Sequence, residues 1–133
     1  MLFVDTSGWA SLFVKQERDY ELATKNMSKY LQAGLRVITL ELVLIELYSL
    51  LTSPIKMDHQ KRNRIIGKIR DSSWATIIPI DDKLLESAWE LSRSRPDKNY
   101  SVVDCSSFII MSQLGITQVL TADRHFVQAG FEK

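Results

Sequence analysis

The chain alternates between short apolar runs and longer segments whose apolar residues recur at helical spacing. The short runs predict buried strands at residues 1–4, 36–39, 75–80 and 118–121. The periodic segments predict helices, which gives the order β, α, α, β, α, α, β, α, α, β, α. This order predicts an α/β fold with three layers, in which helices cover both faces of a central, mainly parallel sheet. No linker or internal repeat interrupts the pattern, so residues 1–133 are expected to form one domain.

One predicted helix is apolar almost all round, which indicates a central and mostly buried position. It covers residues 41–51, ELVLIELYSLL. Glu46 lies in its middle, between Ile45 and Leu47, where a carboxylate is costly unless it is paired or binds a cation. The alternative is that Glu46 occupies the one wet face of this helix. Glu41 lies in the first turn, where the helix dipole favours a carboxylate and capping is the expected role.

Two aspartates flank the helix and the strand predicted near the C-terminus. Asp104 lies in the first turn of this helix, Gly115 ends the helix, and Asp123 follows the last strand directly. Asp5 has the same relation to the first strand, and either Thr6 or Ser7 is expected to cap the helix that comes next. Because ligands of open α/β sheets gather at the carboxyl ends of the strands, these aspartates are expected to lie in one crevice.

The four acids are informative as a set. Any one of the three aspartates could be a helix cap, but carboxylates gathered in one place repel each other unless cations neutralise them. Hard oxygen ligands suit Mg²⁺ or Mn²⁺. Such an ion activates water and stabilises the charge that develops on a phosphodiester during its hydrolysis. The members of the predicted metal site are Asp5, Glu46, Asp104 and Asp123.

Composition excludes several other classes of protein. The chain has 133 residues, 45% of them apolar, and this indicates a globular domain with a proper core. It has no apolar run long enough to cross a membrane and no signal peptide at its start, so a cytoplasmic location is expected. Cys105 is the single cysteine, which rules out an intrachain disulfide and a cysteine zinc site and favours a small buried side chain.

The formal net charge of +1 does not by itself indicate a nucleic-acid-binding protein. Residues 56–70 are nevertheless rich in Lys and Arg, with Asp58 as their only acid. This run is either a solvated helix face or, together with Arg124, a contact for the RNA backbone. His59 is expected at the surface, and His125 is expected to make a structural or phosphate contact beside Asp123.

Four motifs together resemble the PIN-domain family, and in particular the VapC-type toxins of toxin–antitoxin pairs. The motifs are VDTSGW around Asp5, ELYSLL around Glu46, NYSVVDCSSF around Asp104 and LTADRHFVQAGF around Asp123. The resemblance covers nearly the whole chain, including its length and its order of elements. It implies a PIN-like fold and a metal-dependent endoribonuclease that cleaves RNA to a 5′-phosphate and a 3′-hydroxyl.

The resemblance also implies roles for further residues and partners. The four acids would hold Mg²⁺ or Mn²⁺, with the hydroxyls of Ser7 and Thr121 beside them. Members of the family usually form homodimers, and the toxins bind a small antitoxin protein that blocks the site. Many members have an asparagine about five residues before the helix glutamate, whereas this chain has Glu41, so one contact that orients the site is in doubt.

The sequence motifs are also compared with those of other classes of protein. A phosphotransferase of the haloacid dehalogenase type also has an aspartate after its first strand, but it needs a second aspartate where this chain has Ser7. A receiver domain has no place for the apolar helix that carries Glu46. A non-catalytic PIN-fold binding module and a general RNA-processing nuclease are the remaining alternatives to a toxin.

Overall fold

The fold of residues 1–133, taken from a computed structural model, has the predicted order of strands and helices. Each observed element overlaps the segment that the hydrophobic pattern predicts. Their bounds are β1 (Leu2–Val4), α1 (Thr6–Phe13), α2 (Tyr20–Gln32), β2 (Val37–Leu40), α3 (Glu41–Thr52), α4 (His59–Arg70), β3 (Ala75–Ile78), α5 (Asp82–Ser94), α6 (Val102–Leu114), β4 (Gln118–Leu120) and α7 (His125–Gln128). None of these helices is long and apolar enough to cross a membrane.

The four strands form one parallel sheet in the order β3-β2-β1-β4. The chain first moves outward from β1 to β2 and β3, and it then returns to place β4 on the other side of β1. The order therefore reverses between β1 and β4, and this kind of switch point is where open α/β sheets bind their ligands. Val4 pairs with Leu120 at the ends of the two strands, so the residues that follow them emerge side by side.

The core explains why the strands read as continuous apolar runs. Every residue of β1 and β2 is buried, as expected for central parallel strands covered on both faces. The edge strand β3 is only half-buried, and Pro79 follows it directly, where no ladder hydrogen bond is needed. The helix α3 is less buried than predicted, since Ile45 is 53% exposed.

Gly8 allows α1 to pass close to the end of β4. A Cβ atom at this position would lie 2.1 Å from the carbonyl oxygen of Leu120, a distance at which two atoms overlap. The backbone oxygen cannot rotate away as a flexible side chain would. Only glycine therefore fits here, and its absent side chain lets the first turn of α1 lie against the residues that follow β4.

The helix starts differ in part from the prediction. Asp5, and not Thr6 or Ser7, caps α1 by accepting a hydrogen bond from the backbone N–H of Gly8. A carboxylate can reach this N–H from the cap position, whereas a side chain within the first turn is already past it. Glu41 does not cap α3 either, because Leu40 is the residue at the cap position and makes no side-chain cap hydrogen bond.

Candidate active site

All four predicted acids line one pocket of about 260 Å³ at the carboxyl edge of the sheet. They reach it from the end of β1, the middle of α3, the start of α6 and the loop after β4. The pocket also contains hydroxyl groups from the first turn of α1. Its lining residues are Asp5, Thr6, Ser7, Glu46, Leu50, Val103, Asp104, Ser107 and Asp123.

Asp5 is the most buried of the acids, with 6% of its surface exposed. Its carboxylate accepts hydrogen bonds from the hydroxyls of Ser7 (2.9 Å) and Thr121 (2.6 Å) and from the backbone N–H of Gly8 (2.7 Å). Burial outweighs these favourable contacts and raises the pKa of Asp5 to about 7, and the nearby charge of Asp123 acts in the same direction. Asp5 is thus rigidly held, and its ionised form is strained in the absence of a cation.

The hydroxyls of Ser7 and Thr121 join the ends of β1 and β4. Their oxygens lie 3.0 Å apart, and Ser7 Oγ also accepts the backbone N–H of Ala122 at 2.9 Å. Thr121 Oγ1 accepts the backbone N–H of Asp123 at 2.9 Å. The two side chains lie beside Asp5 and set the path of the loop that carries Asp123.

Glu46 points into the pocket and does not lie on a wet helix face. The hydroxyl of Thr6 donates to its Oε1. Burial raises the pKa of Glu46, and the charges of Asp104 and Asp123 raise it further. The contact with Thr6 was not predicted, since the sequence indicated Thr6 only as a possible cap. The feature that could have indicated it is a hydroxyl side chain directly after Asp5.

Asp104 makes two hydrogen bonds at the start of α6, one through its side chain and one through its backbone. Its carboxylate accepts the backbone N–H of Ser101, while its own N–H donates to Ser101 Oγ, which completes a capping box. Burial raises the pKa of Asp104, and repulsion by Asp123 adds to this effect. The cap fixes one carboxylate oxygen, Oδ2, so the side chain is oriented before any ligand arrives.

His125 lies closer to the acids than the sequence could indicate. Its Nδ1 atom is buried and makes no hydrogen bond, although it is 3.3 Å from Asp104 Oδ2 and 3.2 Å from Asp123 Oδ1. The ring of Tyr100 packs edge-on against the imidazole at a centroid distance of 5.6 Å. The imidazole is therefore confined between an aromatic ring and two carboxylates.

The donor set fits a divalent cation. One ligand atom each from Asp104, Asp123 and His125 can be chosen so that all three lie within 4.8 Å of one another. Asp5 and Glu46 stand outside this triplet but line the same pocket. Carboxylate oxygens are the ligands that Mg²⁺ and Mn²⁺ prefer, and the orphaned Nδ1 of His125 offers a further donor to Mn²⁺ or a contact that orients the acids.

The pocket has no positive side chain of its own. No Lys or Arg lines it, and Arg124, which follows Asp123 in sequence, is exposed. A bound anion such as a phosphodiester would therefore depend on a cation within the pocket and on basic residues outside it.

The molecule is thus an α/β protein in which acids converge at the switch point of a parallel sheet. Comparison with known families makes this specific: the model of the PIN domain family matches residues 2–132, and this chain belongs to that family. The predicted fold and family resemblance are thereby confirmed.

The chain is similar to another protein in sequence and to two crystal structures in fold. It is 30% identical over 131 residues to the 23S rRNA-specific endonuclease VapC20 of Mycobacterium tuberculosis, covering 98% of this chain and 95% of the relative. The crystal structure of VapC20, described as a sarcin–ricin loop cleaving toxin, superposes with a TM-score of 0.84 over 98% of this chain and 96% of that one. The FitAcB structure from Neisseria gonorrhoeae shares the fold, with a TM-score of 0.68 at 16% identity over 99% and 95% of the two chains.

Proposed function

We propose that this protein is a metal-dependent endoribonuclease and the toxin of a toxin–antitoxin pair. The observation that carries the proposal is the convergence of Asp5, Glu46, Asp104 and Asp123 in one pocket of a chain from the PIN domain family. The identity of 30% to an endonuclease of rRNA, over nearly the full length of both chains, supports the same activity.

In the proposed mechanism Asp104 and Asp123 would hold Mg²⁺ or Mn²⁺, and Asp5 and Glu46 would complete the acidic surroundings. When bound, the ion lowers the pKa of water and neutralises charge on the phosphate in the transition state. Glu46 takes up the proton of the attacking water at Oε2, because Thr6 already holds Oε1 and no protein hydrogen bond holds Oε2. Attack in line with the 3′ oxygen breaks its bond to phosphorus, and the leaving oxygen takes a proton from solvent water. The products are a 3′-hydroxyl and a 5′-phosphate.

The sarcin–ricin loop of the large ribosomal RNA is the first substrate to consider. The relative VapC20 is described as acting on this loop. Proteins that recognise RNA by sequence usually bind such single-stranded loops, where the bases can be reached. We therefore propose a structured RNA loop as the substrate class.

The proposed partners are a small antitoxin protein and a second copy of the chain. Several large apolar side chains on different helices lie open to solvent and offer contact area for either partner. Examples are Leu22 on α2, Ile45 on α3 and Trp89 on α5, which are 60%, 53% and 47% exposed. Sedimentation of the free protein and of the co-expressed pair would test both expectations.

The activity is tested by incubating the purified protein, free of antitoxin, with a mixed RNA pool and with a sarcin–ricin stem–loop. The reactions contain Mg²⁺, Mn²⁺ or EDTA and are repeated with Asp104→Asn. Asp97→Asn is the matched control, because Asp97 is an exposed acid paired with Arg95, away from the pocket.

The proposal predicts cleavage that needs a metal, persists in Asp97→Asn and is lost in Asp104→Asn. A folded wild-type protein that binds Mn²⁺ and cuts neither substrate would instead be a binding module. Cleavage spread evenly over the RNA pool would favour a general RNA-processing nuclease over a specific toxin.

A further inference from the structure

A cluster of positive charge lies at the far end of α1 from the acidic pocket. A hollow of about 500 Å³ opens between the end of α1 and α4. Four of its lining residues are cations and none is an acid; the cations are Lys15, Lys61, Arg64 and Lys68. We refer to these four side chains and the hollow between them as the basic hollow.

The cations of the basic hollow have no partners within the protein. All four residues are exposed, and no carboxylate lies within 4.0 Å of their charged groups. Lys61, Arg64 and Lys68 follow each other at intervals of three and four residues, which places them on one face of α4 over about 10 Å. Like charges at this spacing repel each other, so the arrangement is unfavourable for folding and favourable for an anion that bridges them.

Two segments of the chain connect the acidic pocket with the basic hollow. The first turn of α1 contributes Thr6 and Ser7 to the pocket, and Phe13, at its other end, lines the hollow, about 10 Å away. Leu50 of α3 also lines the pocket, and its carbonyl accepts the N–H of Ile55, two residues before Met57 in the hollow. At about 3.4 Å per nucleotide along one strand, a few nucleotides are long enough to span this distance.

The chemistry of the pocket requires positive charge elsewhere. A lining with four acids and no Lys or Arg repels a polyanion, and a single divalent cation only partly offsets the four carboxylates. Most of the affinity for a nucleic acid comes from cations that contact its phosphates and release counterions. The basic hollow supplies such cations within a few nucleotides of the pocket.

We infer that the basic hollow binds the phosphate backbone of the RNA that flanks the scissile bond. The inference rests on the proposed nuclease function and adds a substrate-binding surface to it. Lys61, Arg64 and Lys68 contact successive phosphates from α4, and Lys15 contacts the strand from the end of α1. This surface sets affinity and position without reading sequence.

The test uses a fluorescently labelled sarcin–ricin stem–loop in EDTA, so that binding is measured without cleavage. The test variant combines Lys61→Gln, Arg64→Gln and Lys68→Gln. The control combines Lys25→Gln, Lys29→Gln and Lys83→Gln, three exposed lysines outside the basic hollow. Both variants lose three positive charges, so any difference between them reflects position, and thermal unfolding verifies that each is folded.

The inference predicts that the test variant binds at least about tenfold more weakly than the control at low salt. Its plot of log affinity against log salt concentration should be shallower by about 2, because each phosphate contact to a single strand contributes about 0.7. Equal binding by the two variants, or no RNA binding by the wild type, overturns the inference. So does a test variant that binds RNA normally but no longer binds an acidic polyglutamate peptide, since the hollow then serves a protein partner.

Cleavage of the same RNA with Mn²⁺ separates this inference from the proposed function. If the wild type binds through the basic hollow but never cleaves, the nuclease proposal fails and the surface stands. If the wild type cleaves and the test variant cleaves and binds like the control, the nuclease proposal stands and the surface fails.

Discussion

The carboxylate of Asp123 interacts electrostatically with every other acid of the pocket. Repulsion by its carboxylate raises the pKa of Asp5, Glu46 and Asp104, in each case after the larger effect of burial. Hydrogen bonds from hydroxyl and backbone groups reduce the cost of this crowding without removing it. A divalent cation would remove it, and this is the electrostatic reason to expect a metal here.

The burial of these acids, together with their mutual repulsion, predicts how the stability of the metal-free protein depends on pH. The pKa of Asp5 is about 7 in the folded protein and about 3.8 in the unfolded chain. Between these values the folded state binds more protons, so the free energy of unfolding falls as pH rises. At 1.36 kcal/mol per pKa unit, Asp5 accounts for up to about 4 kcal/mol of this fall.

Urea unfolding in EDTA at pH 4.5 and 7.5 measures this dependence. Asp5→Asn, which has the same shape and cannot ionise, should lose much less stability over this range than the wild type. The raised pKa values of Glu46 and Asp104 act in the same direction and remain in the variant. Equal pH dependence in the two proteins would show that Asp5 is not a source of strain.

His125 is expected to contribute to metal binding. Since its Nδ1 lies between Asp104 and Asp123 without a hydrogen bond, His125→Asn should weaken Mn²⁺ binding by about 10- to 100-fold. Calorimetric titration of the folded protein measures the loss. His59→Asn is the matched control, because the only other histidine of the chain is exposed at the start of α4. If both substitutions changed the affinity for Mn²⁺ equally and only slightly, His125 would pack beside the acids without contributing to metal binding.

At the scale of elements, the site depends on how closely α1 approaches β4. The reversal of strand order brings the two strand ends together, and Gly8 lets the first turn of α1 lie against Leu120. Ser7 and Thr121 can then meet, and both bind Asp5. The geometry of the acids is thus a consequence of one close helix–strand contact.

Substitution of two glycines tests this dependence. Gly8→Ala should destabilise the protein by about 1–3 kcal/mol or more, since its Cβ would overlap a backbone oxygen that has no room to move. Gly67→Ala, inside α4 where a Cβ meets no atom within 4 Å, should stabilise it by about 0.5–1 kcal/mol. Chemical denaturation gives both values. A loss of stability in both variants would mean that helix context, and not the contact with β4, determines the effect.

Hydrophobic patterning predicts the strands and helices but not the contacts between them. Apolar runs and helical periodicity are local, and they located every strand and helix in order. Contacts between elements are not local: the bond from Thr6 to Glu46 joins residues 40 positions apart, and the position of His125 depends on the packing of α7 beside α6. The exposure of the apolar side chain of Leu22 on α2 likewise depends on neighbouring elements.

At the scale of the whole molecule, a net charge of +1 conceals a separation of charge. Carboxylates gather at the carboxyl edge of the sheet, and unpaired cations gather at the far end of α1. The sequence already indicated both groups, as scattered acids after strands and as a basic run. How close the two groups lie became visible only in the fold, because α1 runs from one to the other.

The reaction proposed for the acidic pocket is the metal-assisted hydrolysis of RNA. The most direct test is cleavage of the sarcin–ricin stem–loop with Mn²⁺ in water enriched in ¹⁸O, followed by mass analysis of both product ends. Metal-assisted hydrolysis should give a 5′-phosphate that contains one ¹⁸O atom, a 3′-hydroxyl, and no product with EDTA or with Asp104→Asn. Products that end in a 2′,3′-cyclic phosphate without ¹⁸O would contradict it, because the 2′-hydroxyl of the RNA, and not water, would then be the nucleophile.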